Sequence, residues 1–299
     1  MRKVSALVSL ALVALSGSAL AQDEAPAAAP TVDTAAAPAG DGAAAMAPAP
    51  EASPAPAPPA GTTYVSRGLT VGAGALQITL PVVLDLSKDE MLKPVWIQLD
   101  LRFGVTNQLD AFLSHNYFGL PLAFRGGGVC IGGKHRNCPK FYDNLNLGAE
   151  FSFLKNAGIE LSGIGTLEFR SLDPMHLAVD LGIGFKYSGG PLAIKAAPQI
   201  GIAVNKRDEQ PKEFIAIPVQ VALQATPELA VFMDTGVFGP RDGFSQEYAV
   251  PVGVGTSFAV TPILDVGAEF MLPRVLTGNS DNKALDTRTL MIYAALRTR

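Results

Sequence analysis

From about Leu69 onward, apolar residues recur at every second position, with β-branched and aromatic types favoured and turn residues between the runs. In Leu145-Asn146-Leu147-Gly148-Ala149-Glu150-Phe151-Ser152-Phe153 the odd positions are apolar and the even ones polar or tiny. The stretches 177–187 and 264–270 repeat the pattern. A period of two places these classes on opposite faces of a strand. The alternation predicts twelve strands, over 69–84, 94–105, 109–118, 143–154, 158–170, 175–187, 191–204, 213–225, 229–238, 246–260, 264–273 and 287–298.

The connections alternate in kind. Those at 106–108, 155–157, 188–190, 226–228 and 261–263 are tight, whereas those beginning near Asp85, Gly119, Ser171, Asn205, Gly239 and Arg274 are mostly longer and more charged. Three tight ones share a pattern, Thr106 before Leu109, Thr226 before Leu229 and Thr261 before Leu264, with the threonine hydroxyl placed to close the turn. An even-stranded barrel with both chain ends on one side of a membrane has this asymmetry of short turns and long loops.

Charge density decides which face meets what. A soluble surface carries roughly 25–35% charged residues, but most of these strands hold one or two charges diluted by Gly, Ala, Ser, Asn and Gln. In strands with several, the charges share a parity: Asp100 with Arg102, Glu160 with Glu168 and Arg170, Asp180 with Lys186, and Asp265 with Glu269. Lipid cannot hydrogen-bond a backbone, so such a sheet must close on itself with its apolar face outward. Aromatic residues agree. Phe103, Phe151, Phe153, Phe185, Tyr187 and Phe258 fall on the apolar face near short turns, and Tyr117, Phe169, Tyr248 and Phe270 near long loops, as two interfacial girdles would.

The start of the chain supplies an address. Arg2 and Lys3 precede the apolar run from Val4 to Leu15, and Ala19-Leu20-Ala21 offers small residues for cleavage after Ala21, so 1–21 reads as a signal peptide. Residues 22–63 hold 17 Ala and 9 Pro with no aromatic residue, which predicts a disordered periplasmic tether available to a periplasmic or cell-wall partner. Beyond the signal peptide no run is long enough for a membrane helix. The chain has 299 residues, 48% hydrophobic and 17% charged, with mean hydropathy +0.26 and net charge −4. The balance of 23 basic and 27 acidic residues argues against nucleic acid as a partner.

On this architecture, residues 64–299 resemble a Gram-negative outer-membrane β-barrel protein of the broad porin-like type. The fold expected is all-β: a closed antiparallel transmembrane barrel of about 12 strands, preceded by the signal peptide and the Ala/Pro segment. The resemblance implies outer-membrane lipid and the outer-membrane insertion machinery as partners. One departure is the C-terminus, Tyr293-Ala294-Ala295-Leu296-Arg297-Thr298-Arg299, where such barrels commonly end on an aromatic residue.

The candidate chemistry lies on the polar face. The register places Asp100, Asp110, Glu150, Glu160, Glu168, Asp180, Asp234, Asp265 and Glu269 inside with Arg102, Arg170, Lys186, Lys195 and Arg297, so nine acids face five bases along a pore. An open lumen of that composition passes small polar solutes or ions with a weak cation preference. If the charges instead pair into a plug, the barrel is a closed structural or surface-attachment protein. A third reading, a lipid-acting barrel enzyme, rests on Ser114-His115. Adjacent strand residues point to opposite faces, so that pair cannot act as nucleophile and base, and no catalytic residue or cofactor is assigned. His115 is expected near the outer interface and His176 at a strand end facing inward.

Cys130 and Cys138, in the longest loop of an exported chain, are expected to form a disulfide. A metal site built from them with His135 lacks a fourth ligand, and none is assigned. Gly128 to Lys134 nearly spells a phosphate-binding loop, but His135 stands at the Ser/Thr position and no helix pattern follows. The pairs Gly182/Gly184 and Gly253/Gly255 are read as leaving room in the lumen.

Overall fold

The computed structural model describes residues 63–87, 92, 94–115, 127–132, 138, 140–278 and 287–298. The signal peptide, residues 22–62 of the tether, Tyr117 and His135 lie outside the described residues. The strands are β1 (Leu76–Asp85), β2 (Val95–Ile97), β3 (Asp100–Gly104), β4 (Leu109–Ser114), β5 (Gly128–Ile131), β6 (Tyr142–Asp143), β7 (Leu145–Asn156), β8 (Ile159–Leu172), β9 (Met175–Gly189), β10 (Leu192–Ala196), β11 (Gln199–Ala203), β12 (Glu213–Gln224), β13 (Leu229–Pro240), β14 (Ala249–Thr261), β15 (Leu264–Thr277) and β16 (Thr289–Arg297).

Every pairing between them is antiparallel, and the sheet closes when β16 pairs with β1, Gln77 against Arg297 through Asp85 against Thr289. Two staves are interrupted. β2 and β3 both pair with β1, and β10 and β11 both lie between β9 and β12, so fourteen of the sixteen segments make a ring of twelve. The second break falls at Ala197-Pro198, where proline has no N–H for the ladder. Beyond the ring, β5 pairs with β2 and β6 with β5, extending the wall into the loop that holds the cysteines.

Burial is inverted relative to a soluble protein. Asp110, Glu150, Glu160, Glu168, Asp180, Lys186, Asp234, Asp265 and Glu269 are buried, while Phe153, Leu181, Ile183 and Val254 are each 54% exposed. This is the arrangement of a sheet whose outside is wetted by hydrocarbon. Phe103, Phe151, Phe153, Tyr187 and Phe258 form the exposed aromatic set near the short turns, with Phe270 toward the long loops.

The three Thr-to-Leu turns have the expected geometry. Thr106 Oγ1 accepts from the backbone N–H of Gln108 (3.1 Å) and Leu109 (3.0 Å), Thr226 Oγ1 from Glu228 (3.3 Å) and Leu229 (3.0 Å), and Thr261 Oγ1 from Ile263 (3.3 Å) and Leu264 (3.0 Å). One side-chain oxygen thus satisfies two donors that no strand partner reaches.

The start of the first strand differs from the sequence expectation. Residues 69–75 are not part of β1, which begins at Leu76. Gly72 (φ 90°) and Gly74 (φ 72°) turn the backbone through a left-handed conformation that ends the alternation. Gly104 accommodates this turn: a Cβ there would stand 1.7 Å from the Gly72 carbonyl oxygen.

Candidate functional site: the barrel interior

The polar face of the ring surrounds a segment of the chain itself. Residues 63–75 cross the interior at the end of the short turns. Tyr64–Ser66 form one 3-10 turn, Tyr64 stacks on Phe232 with ring centroids 5.8 Å apart, and its hydroxyl donates to Gln220 Oε1 at 2.9 Å. The Val65 N–H reaches Gln224 Oε1 at 3.3 Å. Arg67 grips the Asp265 carboxylate with both terminal nitrogens, Nη1 to Oδ2 at 2.6 Å and Nη2 to Oδ1 at 3.0 Å.

Further along, the Leu69 N–H donates to Glu160 Oε2 (2.7 Å) and the Val71 N–H to Asp110 Oδ2 (2.9 Å), while Arg102 Nη1 donates to the Leu69 carbonyl. Asp265 on β15 and Glu160 on β8 belong to opposite walls, six staves apart in the ring. The segment therefore spans the full diameter.

Each candidate pore residue can be placed. Arg102 bridges Asp110 (3.5 Å) and Glu150 (2.9 Å), and Ser162 Oγ donates to Glu150 Oε1 at 2.6 Å. Arg297 joins Arg67 on Asp265. Lys186 and Lys155 stand 3.8 and 3.9 Å from Glu160, and Lys195 Nζ lies over the Tyr64 ring, 5.0 Å from its centroid. Asp234 accepts from Gln220 at 3.0 Å, and the Glu269 carboxyl lies across Gly253, the residue paired with Asp234. Toward the long loops, Arg170 binds Glu168 at 2.7 Å and contacts Gln210 and the Pro211 carbonyl, with Asp180 beside it.

Beside the crossing segment lies a cavity of about 240 Å³, lined by residues from strands around the ring. Its charged lining is Arg67, Arg102, Lys195 and Arg297 against Asp100, Glu150 and Asp265. The other named acids are engaged in the wall rather than along this space. Sequence reading missed Tyr64 and Arg67 as interior groups, and it missed Phe112, Phe232 and Tyr293, which point inward over glycines of the neighbouring strand. A Cβ at Gly148, Gly255 or Gly267 would stand 2.3, 2.4 and 2.3 Å from their ring atoms. These glycines, with Gly253 under Glu269, are filled spaces. A Cβ at Gly182 or Gly184 would likewise stand 2.3 Å from Gln199 Cγ or 2.1 Å from Ser162 Oγ, so the expectation that Gly182/Gly184 and Gly253/Gly255 leave open room is corrected.

At the other end, His115 Nδ1 lies 3.2 Å from Asp100 Oδ1 and its Nε2 2.6 Å from the Tyr142 hydroxyl, so the buried ring ties β6 to the wall. His115 follows the last residue of β4, and its ring is buried against Asp100 and Tyr142. Ser114 lines the cavity. His176 approaches Glu209 at 3.2 Å, and hydrogen bonds from Lys206 and His176 hold the Glu209 carboxyl below its usual range. Cys130 and Cys138 are joined in a disulfide with Cα atoms 5.7 Å apart, which removes two of the three ligands of the alternative metal site.

No protein-family model matches the chain, and no curated protein matches it. Solved structures do share its architecture. A NanC porin superposes with a TM-score of 0.54 at 7% identity, over 73% of this chain and 98% of that one. A KdgM porin in complex with disordered oligogalacturonate gives 0.52 at 7% identity, over 75% and 99%. At such identity the likeness concerns the fold: a closed all-β barrel of twelve strands, the architecture of outer-membrane porins.

Proposed function

We propose that this protein is an outer-membrane channel, delivered by its N-terminal signal peptide, that passively passes small polar solutes or ions. The observation that carries the reading is the closed ring with hydrocarbon-compatible residues outside and paired ionisable groups around a cavity inside.

Nine inward acids against five bases support a weak cation preference for the lumen as a whole, opposed at the cavity, where with Arg67 four bases face three acids. Planar-bilayer recording tests the proposal: discrete conductance steps with a small cation preference are expected, and a silent, folded barrel refutes it.

A second reading is favoured by a specific observation. Because residues 63–75 cross the lumen, a permanently closed barrel serving structure or surface attachment accounts for the paired charges equally. Solute flux into liposomes separates the two readings. Delivery to lipid by the insertion machinery belongs to both, as does a periplasmic or cell-wall partner for residues 22–63.

A further inference from the structure

The segment that crosses the lumen is bound by the acids that the sequence marks as setting selectivity. Glu160 and Asp110 each accept a backbone N–H from it, and Asp265 holds Arg67. These three carboxylates sit on β8, β4 and β15, each within two residues of a short turn, so together they form a ring at one mouth of the barrel. Besides the Tyr64–Phe232 stack and Val65, which is buried in an apolar cluster with Ala193, Ala222 and Phe232, what holds the segment is polar: N–H to carboxylate, guanidinium to carboxylate, backbone N–H to side-chain amide. Water and mobile cations can replace such contacts. Apolar packing has no such substitute.

We propose that residues 64–71 are a displaceable plug, and that Asp110, Glu160 and Asp265, which anchor it, become a cation-recruiting ring when it leaves. While seated, the segment satisfies the carboxylates with its own donors and adds the charge of Arg67 to the cavity. Its departure removes one cation and withdraws the segment's donors from three carboxylates that keep only their wall partners, Arg297 on Asp265, Arg102 on Asp110, and Lys186 and Lys155 near Glu160, so the mouth becomes more negative as it widens. The electrical part rests on the channel reading above, whereas closure of the mouth does not.

The test compares the full chain with a variant lacking residues 64–71 and with Arg67→Glu, which sets a carboxylate against Asp265 without shortening the chain. Folding is checked by heat-dependent gel migration. In planar bilayers under a KCl gradient, the deletion is expected to raise conductance severalfold and move the zero-current potential toward the potassium equilibrium value, with Arg67→Glu moving both the same way. A second readout needs no conduction. Ala222, inward and buried between Gln220 and Gln224, is replaced by cysteine in both backgrounds and exposed to a permanently charged methanethiosulfonate reagent. Labelling an order of magnitude faster without the plug is the expected result.

Equal labelling rates overturn the plug. Unchanged conductance and zero-current potential in conducting variants overturn the ring. A silent full chain beside a conducting deletion upholds the plug and removes the open resting channel. If neither conducts, the channel and the cation ring fall together, and the labelling rate by itself decides the plug.

Discussion

An arginine placed on the outer face should reveal what solvent that face meets. Ile183 lies on β9, one residue from the centre of a 15-residue strand, and is 54% exposed. In a water-soluble protein, replacing so exposed a residue changes stability by within about 0.5 kcal/mol. In a bilayer, the same change near the midplane costs roughly 2–4 kcal/mol. By the usual conversion of about 1.4 kcal/mol per decade, this is a shift of roughly 30- to 700-fold in the folding equilibrium.

The structure supplies an internal control. Ile159, 39% exposed, pairs with Tyr187, four residues nearer the short turns than Ile183. A strand tilted by about 40° climbs roughly 2.5 Å per residue, so Ile159 sits about 10 Å below Ile183, near the edge of an apolar band about 25 Å tall. There the penalty falls to about 0–1 kcal/mol. Urea titration of Ile183→Arg and Ile159→Arg in phospholipid vesicles measures both. A large loss at 183 and a small one at 159 is expected; equal losses below about 0.5 kcal/mol would mean that water, not lipid, surrounds the sheet.

The remaining expectations are local. Thr226→Ala removes the acceptor of the Glu228 and Leu229 N–H groups and should cost about 0.5–1.5 kcal/mol in the same titration, with conductance unaltered. Gly255→Ala drives a methyl to within 2.4 Å of Phe232 and should cost about 1–3 kcal/mol, partly restored in the double variant with Phe232→Ala. Replacing Cys130 and Cys138 by serine should free the loop at a cost of about 2–3 kcal/mol, seen as faster proteolysis there while the barrel keeps its heat-dependent migration.

The wall was legible because membrane burial constrains every second residue. Residues 145–153 and 175–187 repeat a two-class pattern throughout, and each threonine turn carries its own donor accounting. What escaped was set by tertiary contact. Leu69-Thr70-Val71 alternates as well as any strand does, and only Gly72 and Gly74 after it signal a reversal. Phe112 and Phe232 share the parity of Asp110 and Asp234, yet a large ring reads as outward unless the small residue opposite it is considered. Nor does local sequence say that Arg67 will meet Asp265, 198 residues away.

The joint between β1 and β16 has a consequence for biogenesis. Along one edge, nine residues of the first strand are partnered by the last, more than two hundred positions downstream. A nascent or truncated polypeptide lacking its final dozen residues would therefore carry two unzipped edges, neither tolerable in hydrocarbon. Shortening from the carboxyl terminus should thus abolish assembly at a threshold instead of weakening it by degrees.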